Sequence, residues 1–232
     1  MKKNPLFAGA VAKHESLVGA FEKYAVATVP PRIPSFIETY HLTNLTLVFT
    51  ALVILFSYFV QFHRFWLLSI SALIIVQYFT DLLDGALGRY RSTGLVKWGF
   101  LMDHLFDYLF VVSQLFGMVF YLPASLHGYI ILIIITWGGV MINSFLYFGA
   151  TNHFRISYTK FGPTEFRIAA VLFYVIGYVF GVSVFTYILP VVTFVSLLIM
   201  IAVIFDSHRN LWAIDMAVKN NTEKAQKTGK NP

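Results

Sequence analysis

Residues 81–107 read DLLDGALGRYRSTGLVKWGFLMDHLFD, and apolar sequence flanks them on both sides. The chain has 11 acidic residues, and between Glu38 and Glu165 the only ones are four aspartates of this stretch. They are Asp81, Asp84, Asp103 and Asp107. Ionisable residues within membrane segments are costly and mark functional sites by default. This stretch therefore predicts both the helices that organise the fold and the place where the chain does its chemistry.

The spacing of the aspartates predicts two helix faces. Residues three or four apart are stacked neighbours on a helix, so Asp81 pairs with Asp84 and Asp103 pairs with Asp107. Gly99 lies one turn before Asp103 on the same face, where a ligand or second helix can approach. The short linker 88–98 predicts a hairpin that brings the two pairs together.

Four carboxylates at close range repel one another, and a divalent cation relieves that repulsion. Oxygen ligands of this kind suit Mg²⁺, Mn²⁺ or Ca²⁺ rather than Zn²⁺. Mg²⁺ held by carboxylates usually also takes phosphate oxygens, so the pattern indicates a phosphorylated ligand. Helix-end caps or solvated loop charges would explain one aspartate, but they explain two spaced pairs with interleaved glycines poorly.

The stretch resembles the signature of the CDP-alcohol phosphotransferases, which is Asp-x-x-Asp-Gly-x-x-Ala-Arg, a gap of about eight or nine residues, then Gly-x-x-x-Asp-x-x-x-Asp. The matching residues are Asp81, Asp84, Gly85, Arg89, Gly99, Asp103 and Asp107. Gly88 stands where alanine is usual, which exchanges one small residue for another. The resemblance implies an all-α integral membrane bundle of six transmembrane helices. It also implies transfer of a substituted phosphate from a CDP-alcohol to an acceptor alcohol, with release of CMP, in phospholipid biosynthesis.

The same resemblance implies roles for individual residues. Asp81, Asp84 and Asp103 would hold Mg²⁺ or Mn²⁺, and Asp107 would be the general base and also touch a second metal. The residues implied at the CDP site are Gly85, Gly88, Arg89, Gly99, Asn44 and Thr46. Among these, the glycines would let cytidine and phosphates lie against backbone, and the Arg89 fork suits phosphate.

The acceptor site is left open by two polar clusters. His104, in the form Asp-His-x-x-Asp, and Glu165, in Gly-Pro-x-Glu, are similar to the choline/ethanolamine branch of the family. Glu165 would face a cationic head group there, or it would cap its helix. A lone histidine on an apolar helix is more often packed and hydrogen-bonded. Arg155 and Lys160 would instead grip a phosphorylated acceptor, so the two interpretations require opposite acceptor charges.

Composition independently predicts a membrane protein. The chain has 232 residues, 58% of them hydrophobic and only 12% charged, about half the charged fraction of a soluble domain. It has no cysteine, which excludes disulfides and thiolate metal sites. The net charge of +6 invites a nucleic-acid interpretation. The basic residues lie in loops and tails, however, so membrane lipid explains them better and no nucleic-acid partner is expected.

The chain divides into three parts. Residues 1–40 form a juxtamembrane segment, with an amphipathic surface helix over 13–29 that prolines 30, 31 and 34 break. No cleaved signal peptide is expected. Residues 41–210 form the six-helix domain, with spans near 42–62, 66–86, 99–122 and 128–149. A hairpin of two spans follows over 168–205, broken at 181–183 or at Pro190. Residues 211–232 form a polar tail, and from 216 onward we expect it to be frayed.

Basic residues set the orientation. Arg64 is alone among the loops on the side away from the motif, whereas Arg89, Arg91, Lys97, Arg155, Lys160, Arg167 and Arg209 lie on the motif side. The positive-inside rule therefore places the site and both termini in the cytoplasm, with the protein in the inner (cytoplasmic) membrane.

Alternatives to the enzyme are a divalent metal-ion transporter and a scaffold with a relict site. Acids within membrane helices also mark ion paths, but none continues the path outward here. The intact motif disfavours the scaffold. The donor is expected to be CDP-diacylglycerol or a CDP-aminoalcohol, and a homodimer is expected by analogy with the family alone.

Overall fold

The computed structural model of this protein describes residues 18–92, 95–152 and 163–227. Within those residues the chain is helical and contains no strand. The helices are α1 (Gly19–Thr28), α2 (Thr39–Val60), α3 (Trp66–Arg91), α4 (Val96–Gly117), α5 (Ala124–Thr151), α6 (Pro163–Phe180) and α7 (Phe185–Lys227). Short 3₁₀ turns occupy Pro30–Arg32, Met118–Phe120 and Val182–Val184. The predicted all-α class is confirmed.

Four of the described helices are long and apolar enough to cross a membrane: α2, α3, α5 and the long C-terminal helix α7. The protein is therefore a membrane protein. Helices α4 and α6 also lie in the bundle, and α4 carries Asp103 and Asp107. The count of six spans stays a prediction, as does the division of the chain into three parts.

One apolar cluster joins helices α2 to α7. It includes Val53, Ile70, Phe110, Ile130, Tyr174 and Phe185, each buried. Helices α2 and α4 pack closely at Gly117, where an added Cβ would lie 2.1 Å from Ser57 Oγ. The absence of a side chain at this position is what allows the two backbones to meet.

The hairpin between α3 and α4 is tighter than predicted. Helix α3 continues through Gly88 to Arg91, Ser92 adopts a left-handed conformation with φ 54°, and α4 begins at Val96. Arg91 donates hydrogen bonds of 2.9 Å to the carbonyls of Ile33 and Pro34. This basic residue therefore ties the C-terminal end of α3 to the chain before α2.

The predicted break near residue 181 is confirmed, and Pro190 does not break the chain. Helix α6 ends at Gly181, which has φ 76°. Glycine suits this position because a positive φ strains residues that carry a side chain. Pro190 is the sixth residue of α7, and the helix continues through it although proline removes one intrahelical hydrogen bond. The hairpin therefore turns at the glycine.

Helix α7 corrects the expectation of a frayed end. It runs for 43 residues, through Lys227, or about 65 Å at 1.5 Å per residue. That is about twice the hydrocarbon thickness of a bilayer. Extending an existing helix costs far less than nucleating a new one, so the polar residues 216–227 continue the helix. The prediction of fraying is wrong for them.

The N-terminal helix is described from Gly19, and residues 13–17 of the predicted helix lie outside the described part. Helix α1 rests on α3, where the rings of Phe21 and Phe79 meet edge to face at 5.6 Å. The proline-rich segment that follows forms the 3₁₀ turn Pro30–Arg32, so the predicted helix break is confirmed.

Candidate active site

Three of the four motif aspartates converge at the hairpin of α3 and α4. One carboxylate oxygen from each of Asp81, Asp103 and Asp107 lies within 4.8 Å of the others. Asp81 comes from α3, and the other two lie one turn apart on α4. The convergence predicted from the spacing is thus present for these three side chains.

Asp84 lies apart from that cluster and has its own partner. Its Oδ2 accepts a hydrogen bond of 2.5 Å from the hydroxyl of Thr43 on α2. Thr43 is buried, with 4% of its surface exposed. The second carboxylate of α3 is therefore held against α2, and no sequence pattern marks Thr43 as its partner.

Arg167 on α6 supplies positive charge to the cluster. Its Nη2 lies 2.7 Å from Asp81 Oδ2 and 3.2 Å from Asp107 Oδ2. Only 16% of the arginine side chain is exposed, so the charge is held out of water, where Coulomb interactions are stronger. Sequence reasoning had counted Arg167 only among the basic residues that set orientation.

Gln77, one turn before Asp81, also donates to the Asp107 carboxylate. Its Nε2 donates to Asp107 Oδ1 at 2.9 Å, and the residue is fully buried. The Gln77 Oε1 has no hydrogen-bond partner within the described part of the chain. Asp107 is thus fixed from two sides, by an amide of α3 and a guanidinium of α6.

The glycines of the motif leave different amounts of space. A Cβ at Gly99 would meet no atom within 4 Å, so the face of α4 one turn before Asp103 is open. A Cβ at Gly85 would lie 3.3 Å from the Arg89 guanidinium, which folds back over this glycine. At Gly88 the neighbour is Thr39 of α2, also at 3.3 Å. Gly88 therefore serves helix packing, whereas Gly99 faces free space.

His104 packs among aromatic rings beside the cluster. Its Nδ1 donates to the backbone oxygen of Phe100 at 2.7 Å, and its ring lies 4.5 Å from Phe100 and 5.8 Å from Phe145. Asp103 Oδ2 is 3.9 Å from the same nitrogen. These contacts fit the packed, hydrogen-bonded histidine and leave a role in binding the acceptor as a prediction.

The remaining predicted residues are distributed around the site. Asn44 is exposed and Thr46 is buried on α2. Glu165 lies in the first turn of α6, as expected of a cap, where negative charge is favoured. Arg155 and Lys160 lie outside the described residues.

Two apolar cavities flank the acid cluster. One, of about 260 Å³, lies between α3 and α6 and includes Ile75, Phe79, Leu172 and Arg167 in its wall. The other, of about 470 Å³, lies between α4 and α5 and includes His104, Tyr108, Met141 and Phe145. Both place apolar surface beside charged groups, as a site for a lipid-like molecule requires.

The donor set fits a hard divalent cation. Three carboxylates at mutual reach offer only oxygen, which Mg²⁺ and Mn²⁺ prefer, and no sulfur ligand exists in this chain. A single guanidinium against three carboxylates leaves negative charge in excess. The three carboxylates can therefore bind a metal ion in addition to pairing with Arg167.

The comparison with protein families gives one match over more than half of the chain. The family described as CDP-alcohol phosphatidyltransferase matches residues 40–206, which include the whole α3–α4 hairpin. No curated protein and no solved structure matched the chain. Together with the aspartate cluster of the hairpin, the match shows that the chain belongs to the CDP-alcohol phosphatidyltransferase family.

Proposed function

We propose that the protein is a membrane-embedded phosphotransferase, which moves a substituted phosphate from a CDP-alcohol to an acceptor alcohol and releases CMP. Family membership implies phosphotransfer from a CDP-alcohol in phospholipid synthesis. The observation that carries the proposal is the convergence of Asp81, Asp103 and Asp107 in one cluster of a membrane protein. Ionisable groups beside lipid are costly, and such groups are therefore expected to serve binding or catalysis.

The four motif aspartates are proposed to hold Mg²⁺ or Mn²⁺. Asp81, Asp103 and Asp107 form the group within 4.8 Å, and Asp84 lies one helix turn from Asp81. When bound, divalent ions neutralise diphosphate charge and polarise the phosphorus under attack. Thr43 holds Asp84 in place for this purpose, and Gln77 does the same for Asp107.

Asp107 is proposed as the general base. The acceptor hydroxyl oxygen forms a bond to the β-phosphorus of the donor, and its proton passes to an Asp107 oxygen. The bond between that phosphorus and the oxygen bridging to CMP breaks, and CMP leaves with the electron pair. A base must reach the hydroxyl it deprotonates, and the hydrogen bond from Gln77 holds the Asp107 carboxylate in one orientation.

The nucleotide is proposed to lie along the open faces of α3 and α4. Gly99 borders free space, and Arg89 places its guanidinium over Gly85, one turn beyond Asp81. A planar guanidinium suits phosphate oxygens. Asn44, Thr46 and Gly88 stay in the proposed nucleotide site on family resemblance alone.

Arg167 is the additional residue that the geometry brings to the proposed mechanism. Its guanidinium contacts Asp81 and Asp107, which themselves are proposed to contact metal and substrate. A phosphate entering there would meet a buried cation able to make charge-assisted hydrogen bonds. Arg167 is therefore proposed to pair with the transferring phosphate.

The acceptor remains open between two classes. His104 and Glu165 favour an acceptor or head group of the choline/ethanolamine type, whereas Arg155 and Lys160 favour a phosphorylated one. The site is proposed to face the cytoplasm, on the side that holds most of the basic residues.

The test is CMP release by purified protein in detergent, with a panel of donors and acceptors. CDP-diacylglycerol is offered with inositol phosphate, glycerol phosphate and choline, and CDP-choline and CDP-ethanolamine are offered with diacylglycerol. At least one pair should release CMP with Mg²⁺ or Mn²⁺ and stop on chelation with EDTA. Absence of CMP release from every pair, in protein shown to be folded, would contradict the proposal.

A further inference from the structure

Helix α1 is joined to the bundle through one carboxylate oxygen. The hydroxyl of Tyr78 on α3 donates to Glu22 Oε1 at 2.6 Å, and the hydroxyl of Thr164 on α6 donates to the same oxygen at 3.0 Å. Hydrogen bonds to a charged acceptor are stronger than neutral ones. Glu22 thus ties the N-terminal helix to the two helices that carry Asp81 and Arg167.

Tyr78 is the member of this group that also touches the site. The Arg167 guanidinium carbon lies 5.6 Å from the centre of the Tyr78 ring, within the range of a cation–π interaction. The same guanidinium contacts Asp81 and Asp107. A continuous set of contacts therefore runs from α1 through Tyr78 to Arg167 and the acid cluster.

Arginine has a long side chain with many rotamers, and fixing its head group costs conformational entropy. The carboxylates that contact Arg167 are proposed to engage metal and substrate during the reaction, so they cannot hold it throughout. The Tyr78 ring also contacts Arg167, and it keeps its position as long as Glu22 holds the Tyr78 hydroxyl.

We infer, on the basis of the proposed function, that Tyr78 is a positioning residue for the transfer. Its hydroxyl, held by Glu22 of α1, fixes the ring that sets the place of Arg167 beside the transferring phosphate. Docking of α1 is thereby linked to the geometry of the site. This role is distinct from simply fastening α1, because Thr164 fastens the same oxygen without stacking on Arg167.

The experiment compares Tyr78→Phe, Glu22→Ala, Glu22→Gln, Thr164→Val and the double variant Tyr78→Phe/Glu22→Ala. Tyr78→Phe keeps the ring and removes its tether, so we expect kcat to fall about tenfold, the scale of one hydrogen bond to a charged group. KM for the donor should rise by no more than about fivefold, the loss expected in binding of its pyrophosphate group, and the larger fall in kcat reports the part of the interaction made only in the transition state. Glu22→Ala should match this loss, and Glu22→Gln, which retains an accepting oxygen, should recover part of it.

The double variant should be no slower than the slower single variant, since both substitutions remove the same hydrogen bond between Tyr78 and Glu22. Thr164→Val should stay within about threefold of wild type, a limit set by loss of one weaker hydrogen bond. Tyr90→Phe removes the same hydroxyl from an exposed position of α3 and serves as the matched control. Three results would each overturn the inference. The first is an unchanged kcat in Tyr78→Phe, and the second is an equal loss of kcat in Tyr78→Phe and Thr164→Val. The third is a loss in the double variant equal to the product of the two single losses.

A binding measurement separates this inference from the proposed function. Inorganic pyrophosphate with Mg²⁺ is titrated into the full-length protein without any donor. Tyr78→Phe should bind it about fivefold more weakly than wild type, as should Arg167→Lys, while Tyr90→Phe binds normally. This result would support the inference even if no donor released CMP. Equal affinity in wild type and Tyr78→Phe, or no binding by wild type, would overturn it.

Discussion

Asp107 accepts hydrogen bonds from two other helices, from the Gln77 amide of α3 and the Arg167 guanidinium of α6. Replacing it by asparagine keeps the size of the side chain but removes the basic oxygen. We expect Asp107→Asn to lower CMP release by about 10²–10⁴-fold, the usual contribution of a general base. Binding of the CDP donor, measured by competition, should remain largely intact.

A matched control for Asp107→Asn is Asp215→Asn, which changes an exposed aspartate of α7 outside the site. Its rate should equal that of wild type. Transfer by Asp107→Asn at a near wild-type rate would show that another group takes the proton.

Thr43 tests whether the partner of Asp84 matters to the metal site. Thr43→Val removes the hydroxyl that donates to Asp84, at nearly constant side-chain volume. The half-buried Asp84 carboxylate then loses a hydrogen bond on the scale of about 1.5–3 kcal/mol. We expect the Mg²⁺ concentration for half-maximal CMP release to rise several-fold.

Thr50→Val is the control for that change, because its hydroxyl bonds only the Thr46 carbonyl of its own helix at 2.8 Å among the contacts described. It should leave the Mg²⁺ requirement unchanged. An equal shift in both variants would point to general loosening of α2 and not to Asp84.

At the residue scale, the sequence predicted which charged residues cluster along one helix. It did not predict the hydrogen-bond and ion-pair partners that come from other helices. Spacing placed Asp103 and Asp107 on one face, and the short linker placed Asp81 opposite them. Thr43 and Arg167 come from α2 and α6, so no local pattern links them to the motif. A signal for Arg167 did exist, since an arginine in an apolar helix needs a counter-charge and acids were scarce.

At the scale of the helices, α2 and α4 pack closely at Gly117. An alanine there would place its Cβ 2.1 Å from Ser57 Oγ and 2.8 Å from Ser57 Cβ, so the helices must separate. We expect Gly117→Ala to destabilise the protein by about 1–3 kcal/mol, as overpacking does. The measurement is the thermal unfolding midpoint in detergent, which should fall by several degrees.

Gly128→Ala on α5 is the matched control for overpacking. A Cβ there meets no atom within 4 Å, and the residue is exposed. Alanine has the higher helix propensity, so the midpoint should stay constant or rise. A fall as large as that of Gly117→Ala would show that the α2–α4 contact is not the cause.

Helix ends were the part of the fold that the sequence predicted least well. Hydropathy marks where a helix leaves lipid, but hydrogen bonding continues beyond that point when the next residues tolerate helix. That explains why α3 passes Gly88 to Arg91 and why α7 reaches Lys227. The break at Gly181 was predictable, because a backbone φ of 76° favours glycine.

For the whole molecule, the distribution of basic residues predicts which end of the bundle faces the cytoplasm. The loop between α2 and α3 lies at the end away from the motif, and Arg64 there packs over the ring of Tyr178 at 5.5 Å. The loop between α3 and α4, and the polar half of α7, lie at the motif end. This polarity decides which compartment supplies the nucleotide donor.

The chain contains no cysteine, so single cysteines can report the orientation directly. Leu95→Cys lies in the α3–α4 loop, Ala213→Cys in the polar half of α7 and Gln61→Cys in the α2–α3 loop, all at exposed positions. With a membrane-impermeant maleimide, Gln61→Cys should react in intact cells. Leu95→Cys and Ala213→Cys should react only after permeabilisation, because the positive-inside rule places them in the cytoplasm.

Retained CMP release in each cysteine variant would show that labelling reports the functional fold. Labelling of Leu95→Cys in intact cells would show that the protein has the opposite orientation in the membrane. The acid cluster would then open away from the compartment in which nucleotide-activated alcohols are made, and cytoplasmic phosphotransfer would be untenable. Reaction of Leu95→Cys and Ala213→Cys from opposite sides would instead show an odd number of crossings between α3 and the polar half of α7, which contradicts the six-span arrangement alone.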